Sequence, residues 1–266
     1  MHQSLWRARS SRQSATSRVF VALAYCGAFV IGLGILSLVG CRGGERSIES
    51  SVSYERPTAH RIVVETVVDL PSEQVWDELI RRLSESSFRV ATLEKASRFV
   101  SIELVRSSDL VTSANRPSRY VDCGRTTRTF SENGVAQHFE YAVADSSHHR
   151  ESAEKPDGFR VSEVDRRVEL EARSTLYLQP EGERRTRVTV KARYEVKFEV
   201  SGQARMLSRK RNDSDGEPEF FGPRVESIRF STFRSGEDRR RGGLTCVATG
   251  DLEHSLIAIA NPAAAI

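Results

Sequence analysis

Residues 168–200 read VELEARSTLYLQPEGERRTRVTVKARYEVKFEV, and this stretch decides the fold. Apolar side chains occupy nearly every second position in two runs, residues 168–178 and residues 188–200. This is the periodicity of strands with one buried face. The polar residues 180–183 between the runs include a glycine and predict a tight turn. The alternate positions carry Arg, Lys, Glu and Thr, so we predict a long antiparallel hairpin whose second face meets water.

Shorter segments on both sides of this hairpin also read as strands and loops. Alternating or valine-rich stretches predict strands at residues 61–70, 88–94, 99–105, 120–130 and 225–233. Polar stretches predict loops at residues 107–119, 144–160, 202–224 and 234–243.

Two amphipathic segments predict helices. After Pro71, the apolar residues recur at helical spacing, with Ser72 as the expected N-cap: Val75, Trp76, Leu79, Ile80 and Leu83. Trp76 could form a ligand platform, but a tryptophan on such a face usually belongs to the core, and we place it there. A short last helix is expected after Asp251 as its cap. The order of elements therefore predicts an α+β fold, a curved antiparallel sheet with an early amphipathic helix and a short C-terminal helix packed on one face.

The first forty residues differ from the rest. Residues 1–18 contain four arginines and no acid, and residues 19–39 carry no charge, which is the pattern of an export signal. Since four of the 40 basic residues and none of the 36 acidic residues precede Cys41, 36 of each sign remain after it. A nucleic-acid partner requires an excess of cations, so the balance disfavours nucleic-acid binding.

The uncharged run ends in Leu38-Val39-Gly40-Cys41. This ending resembles the lipobox of bacterial lipoproteins, in which a small residue precedes the cysteine that receives the lipid. The resemblance implies a lipid anchor on Cys41, with fatty acid such as palmitate, and a periplasmic domain in the cell envelope; Arg42 favours the outer membrane. The run of about 21 residues could also span a bilayer, so an uncleaved transmembrane anchor stays open.

This interpretation divides the chain into a signal peptide at residues 1–40, a lipidated flexible tether at residues 41–58, one globular domain at residues 59–262 and a tail at residues 263–266. In an oxidising compartment the pair Cys123 and Cys246 predicts a disulfide. Two separate buried thiols are one alternative, and a reactive or redox thiol is another, although the sequence has no CxxC motif.

The order strand, helix, antiparallel strands, helix resembles the helix-grip arrangement of lipid-carrier domains and of envelope lipoproteins of the BamC type. The stretches YVDCG (residues 120–124) and CVATGDLE (residues 246–253) are also similar to segments of proteobacterial lipoproteins. These resemblances imply one of two functions: a non-enzymatic interaction or assembly module for an envelope protein, or a carrier of an apolar or lipid ligand between sheet and helix.

The sequence predicts no catalytic residues, no metal site and no cofactor. It contains no GxSxG, HExxH or paired-cysteine motif. His148 and His149, near His138 and Glu151, could bind a metal together only from an irregular loop, because neighbours on a strand point to opposite faces. We therefore expect a protein that is not an enzyme.

Three loop features remain open. Residues 209–211 beside Asp213 and Asp215, and the arginines at residues 239–241, are solvated loops or docking sites for an anionic lipid or partner. Phe220 and Phe221 are adjacent, so one could be exposed to membrane or protein. We favour the alternative that both tuck beneath the loop.

Overall fold

A computed structural model describes residues 44–107, 116–238 and 243–261. Most of these residues form antiparallel strands, and two α-helices are present among them, which confirms an α+β chain. In chain order the elements are β1 (Ile48–Glu55), β2 (Glu65–Val68), α1 (Ser72–Glu85), β3 (Arg89–Glu94), β4 (Phe99–Ser107), β5 (Val121–Asp122), β6 (Arg125–Glu132), β7 (Val135–Ala142), β8 (Ser147–Lys155), β9 (Gly158–Pro180), β10 (Thr186–Ser208), β11 (Glu219–Ser231), β12 (Gly236–Asp238), β13 (Leu244–Ala248) and α2 (Asp251–Ala260).

The hairpin of β9 and β10 is the centre of the main sheet. Each strand has 23 residues, and they pair without a break from Thr186↔Pro180 to Ser208↔Gly158. The predicted turn is confirmed, with Gly182 at φ +77°. β4 and β8 pair with successive parts of β9, and β3 pairs with β4. β2 and β11 pair with successive parts of β10.

Two of the predicted loops are largely strand. Residues 144–160 contain β8, and residues 202–224 contain the end of β10 and the start of β11. In these segments the strands form through backbone pairing, while polar side chains lie on both faces. The sequence therefore does not show the alternation of apolar and polar residues that predicted the hairpin.

The long hairpin buries different faces along its length. From Val164 to Leu178 in β9, the even-numbered side chains face a core that also contains both helices. Near the other end, the odd-numbered Phe159 and Val161 are buried instead, with Leu207 of β10. Since consecutive residues of a strand point to opposite faces, the hairpin contributes to two cores on its two sides.

The second core lies against a smaller sheet of β1, β6 and β7. Ile48 of β1 and Phe130 of β6 are buried with the hairpin residues Phe159, Val161 and Leu207. This corrects the prediction of a flexible tether over residues 41–58, because Ile48–Glu55 is a strand paired along its whole length with β6.

Both helices face the main core. Val75, Trp76, Leu79 and Leu83 of α1 are buried, as the helical spacing predicted for them. The prediction of Ser72 as N-cap is wrong, because α1 begins at Ser72 after Pro71 and no side chain caps it. Asp251 is likewise the first residue of α2, after Gly250 at φ +91°, and the predicted cap is wrong there too. At the start of α2 the Thr249 hydroxyl accepts the Asp251 N–H over 3.3 Å.

Candidate functional site

The predicted disulfide between Cys123 and Cys246 is present, and both cysteines are fully buried. It joins the residue after β5 to the middle of β13. Tyr54 of β1 lies between the two segments, where its hydroxyl accepts the Thr245 N–H over 3.0 Å and lies 3.1 Å from the Cys123 carbonyl oxygen. Burial raises the pKa of Tyr54. The bridge therefore fixes β13 against the body of the domain.

β13 forms one wall of the main cleft, through Val247 and Ala248. The cleft has a volume of about 670 Å³, and residues 59–65 and 231–235 form its other walls. It opens at the point along β10 where the paired neighbour changes from β2 to β11. β2 pairs with residues 186–189 of β10, and β11 pairs with β10 only from Arg193 onward. The gap between these two neighbours lies at the edge of the main sheet.

The rim of the cleft combines apolar and basic groups. Val63 and Phe233 are 66 % and 61 % exposed. Arg61 and Arg234 are exposed too, and neither guanidinium has a hydrogen-bond or ion-pair partner within the described ranges. Among the described lining residues, Glu65 is the single carboxylate, and it lies 3.3 Å from Arg187. Within the described part of the chain, the cleft therefore presents cations without partners beside exposed apolar surface.

One wall of the cleft also offers backbone groups. Val64 continues the ladder of β2, since its carbonyl oxygen accepts the Val190 N–H over 2.7 Å. Before it, the backbone of residues 61–63 has no hydrogen-bond partner in the part of the chain that the structure describes. The His60 imidazole Nε2 lies 2.8 Å from the Thr249 carbonyl oxygen, so it donates there and fastens this segment to the start of α2.

A buried polar network lies behind the cleft. Thr232 accepts the Ala192 N–H over 2.8 Å and donates to Oε1 of Glu253 over 2.7 Å. The Tyr194 hydroxyl donates to the same oxygen over 2.8 Å. Glu253 is fully buried, and its Oε2 has no partner among the described residues. Burial and then the nearby Glu253 raise the pKa of Tyr194, so its proton stays available as a donor.

The space between the helices and the sheet is filled by side chains. Trp76 lies in this core, as predicted, and Leu79, Leu176 and Leu256 are fully buried. A side chain that lined a cavity large enough for a lipid chain would carry accessible surface inside it. Close packing of this kind is typical of an ordinary protein interior.

The histidines lie apart. His148 and His149 are on β8, where His148 is exposed and 2.8 Å from Asp165 while His149 is buried and stacked on Tyr141. His138 contacts Thr129 over 3.1 Å. The strand directs the two adjacent imidazoles to opposite faces, so the structure does not bring them together around one point.

The charged loop after β10 is held by ion pairs. Asp215 lies 2.6 Å from Arg46 and Arg209 lies 2.8 Å from Glu154, while Asp213 accepts a hydrogen bond from Ser208. The hydrogen bond from Arg46 lowers the pKa of Asp215. The arginines at residues 239–241 lie outside the described residues.

The prediction that Phe220 and Phe221 both tuck beneath a loop is wrong. They lie on β11, where Phe220 is 86 % exposed and Phe221 packs against Gly202 of β10. Successive residues of a strand face opposite sides, which separates the two rings.

Cys41 also lies outside the described residues. Within the described ranges, no helix has the length and apolar character needed to cross a bilayer. No protein-family model, curated protein or solved structure matches the chain.

The cleft is the feature that sequence reasoning missed. Its walls come from residues 59–65, 231–235 and 247–248, which are far apart in the chain. The one available signal was the strand predicted over residues 61–70, of which the structure assigns Glu65–Val68. The part of this predicted strand that the structure does not assign as a strand contains Arg61 and Val63 and forms one wall of the cleft.

Proposed function

We propose that this chain is a lipid-anchored lipoprotein of the bacterial envelope, attached through Cys41, whose domain is a non-enzymatic interaction module. The interaction module is supported by the open cleft, in which Val63 and Phe233 are exposed beside Arg61 and Arg234, two arginines with no partner among the described residues. Exposed apolar surface rimmed by polar groups marks protein-binding sites. The rim of the cleft offers groups that can bind a partner. The His60 imidazole and the buried Thr232 hydroxyl already form hydrogen bonds within the domain.

The disulfide supports an extracytoplasmic location, because disulfides persist in oxidising compartments. It does not distinguish a lipid anchor from a transmembrane anchor. The proposal of a lipid on Cys41 rests on the sequence Leu38-Val39-Gly40-Cys41, and the outer membrane is favoured by Arg42.

We also propose that the arrangement is a variant of the helix grip, since both helices share one core with the main sheet. A carrier of this type would hold an apolar ligand between them. The filled interface around Leu79, Leu176 and Leu256 favours the interaction module over the carrier.

The anchor is tested by growing cells that express the full chain with an alkyne analogue of palmitate. We expect the label on the wild type and on Cys26→Ser, and no label on Cys41→Ser. The released protein should start at Cys41 by intact mass. A wild type of uncleaved mass without label would show a transmembrane anchor instead.

The interaction module is tested by placing a photo-crosslinking amino acid at Val63 or Phe233 in living cells. We expect a defined adduct with an envelope protein at these positions and none at Val135, which is equally exposed on β7. Native mass spectrometry of the same protein provides the second readout. An apolar adduct retained through purification would favour the carrier and contradict the module.

A further inference from the structure

The cleft exposes an edge that is ready to pair with another strand. Residues 61–63 lead directly into β2, and their burial alternates: Arg61 and Val63 are exposed, while Ile62 lies half-buried near Gly250. An alternation of two is that of an extended chain. Among the described residues β2 pairs with β10 alone, so its other edge is open as well. Unpaired edges of this kind accept added strands.

The charges beside this edge select the partner. Arg61, Arg234 and His60 line the cleft, while Glu65, the one carboxylate among its described lining residues, lies 3.3 Å from Arg187. As far as the structure describes the chain, the lining therefore carries two guanidinium groups without a carboxylate partner. Carboxylates are the groups that guanidinium binds with paired hydrogen bonds.

The apolar side chains beside the same edge indicate which residues the partner segment carries at its other contact positions. Val63 and Phe233 are both well exposed on the rim. Arg61 and Val63 are two residues apart and so lie on the same face of this edge, and the side chains of an added strand that share this face are also two residues apart. A segment with an acidic residue opposite Arg61 and an apolar residue two positions along can therefore contact both, and further acidic and apolar residues on this face can contact Arg234 and Phe233.

We propose that the cleft binds an extended acidic segment of a partner protein, which adds as a strand to residues 61–63. This rests on the proposed function as an interaction module and names the chemistry of its partner. Backbone hydrogen bonds to residues 61–63 supply affinity, and Arg61 and Arg234 supply selection for carboxylates.

The probe for this proposal is a fluorescein-labelled decapeptide in which Glu and Val alternate along one face, with Thr at the positions between them, added to the full chain in detergent. We expect saturable binding by fluorescence anisotropy, weakened at least about tenfold when Lys replaces Glu in the peptide. Methylating alternate backbone nitrogens of the peptide on its pairing edge should abolish binding, since it removes the donors of the ladder.

Three charge reversals locate the site on the protein. Arg61→Glu and Arg234→Glu should each weaken binding by about tenfold or more. Arg89→Glu is the matched control, because Arg89 is an exposed arginine on the edge strand β3 without a partner among the described residues. It should leave the affinity unchanged. Thermal melting of all three variants verifies that each is folded.

Absence of binding at millimolar peptide, or equal weakening by all three reversals, would overturn the proposal. So would an adduct at Val63 that joins two copies of this chain. If the proposal of a lipid on Cys41 is wrong, the wild type carries no palmitate label while it still binds the peptide. Failure of this inference alone appears when an envelope partner crosslinks elsewhere on the domain while the peptide does not bind.

Discussion

The hydroxyl of Tyr194 lies 2.8 Å from Oε1 of Glu253, and this contact joins the middle of β10 to the first turn of α2 inside the main core. Thr232 at the end of β11 donates to the same oxygen. One carboxylate thus connects the sheet, the last helix and the wall of the cleft. The arrangement stabilises the fold only while its donors are in place, because a buried acceptor without donors is costly.

We therefore expect Tyr194→Phe to lower the free energy of unfolding by about 1–3 kcal/mol. The substitution removes one donor from a buried carboxylate and preserves the ring that stacks on Phe230. Urea denaturation monitored by circular dichroism measures the difference. Tyr177→Phe is the control, since Tyr177 is exposed and should change stability by no more than about 0.5 kcal/mol. Equal effects of the two substitutions would contradict the role of the hydrogen bond.

Removal of the disulfide should destabilise the domain strongly. The bridge spans a sequence separation of 123 residues, for which the chain-entropy relation gives about 4–5 kcal/mol. We expect the double variant Cys123→Ser/Cys246→Ser to unfold at lower urea concentration, by a difference close to that caused by reducing the wild type. Free thiols at both positions in the oxidised wild-type protein, detected by alkylation and mass, would refute the bridge.

Glu151 provides a prediction about acid. Contact with the His149 imidazole, and then the Arg128 guanidinium at 2.8 Å, lower its pKa below the usual 4.5. A carboxyl with a lowered folded-state pKa contributes stability above its unfolded pKa, and that contribution disappears as pH falls through the folded value.

Glu151→Gln should therefore reduce stability at neutral pH and make its loss below about pH 4.5 less steep. Urea unfolding at several pH values between about pH 3 and pH 7 measures how steeply the free energy of unfolding changes with pH in the variant and in the wild type. The control is Glu94→Gln on the exposed strand β3, because the Glu94 carboxylate has no partner among the described residues. If the two variants give the same slope as the wild type, the contacts of Glu151 contribute nothing to acid stability.

The two cores should respond separately to truncation. Phe130→Ala removes a fully buried ring from the second core, and we expect a loss of about 3–5 kcal/mol. Hydrogen exchange should rise first in β1 and β6, while the amides of the hairpin between residues 168 and 178 keep their protection. Phe220→Ala is the matched control on the surface, with an expected change within about 0.5 kcal/mol. A uniform rise in exchange would show that the two cores unfold as one unit.

Sequence periodicity predicted the elements whose burial is regular. Val168 to Leu178, the apolar face of α1 and the pairing of Cys123 with Cys246 all follow from local pattern or from the number of cysteines. The pattern failed at residues 144–160 and 202–224, where paired strands carry polar side chains on both faces and so resemble polar loops in the sequence. β1 was missed for a related reason, since Ile48 is the one side chain that it buries fully.

The cleft depends on tertiary contacts alone. Arg61 begins one predicted strand and Arg234 follows the end of another, and nothing in their spacing indicates that β10 would bring both to one edge. The register of β2 and β11 along β10 sets their proximity, and register is decided by pairing over the whole strand.

The pairing pattern also determines the order in which the fold can be completed. The chain emerges N-terminus first, from the ribosome and from any export channel, so the ladder of β1 cannot close before Glu132 has emerged, and that of β2 cannot begin before Thr186. Cys123 finds its partner only after residue 246 has emerged. The walls of the cleft and the oxygen of Glu253 behind them are thus among the last parts to assemble. A chain that ended before Val247 would carry an almost complete main sheet, but its cleft would lack the wall of Val247 and Ala248 and the Glu253 carboxylate behind it.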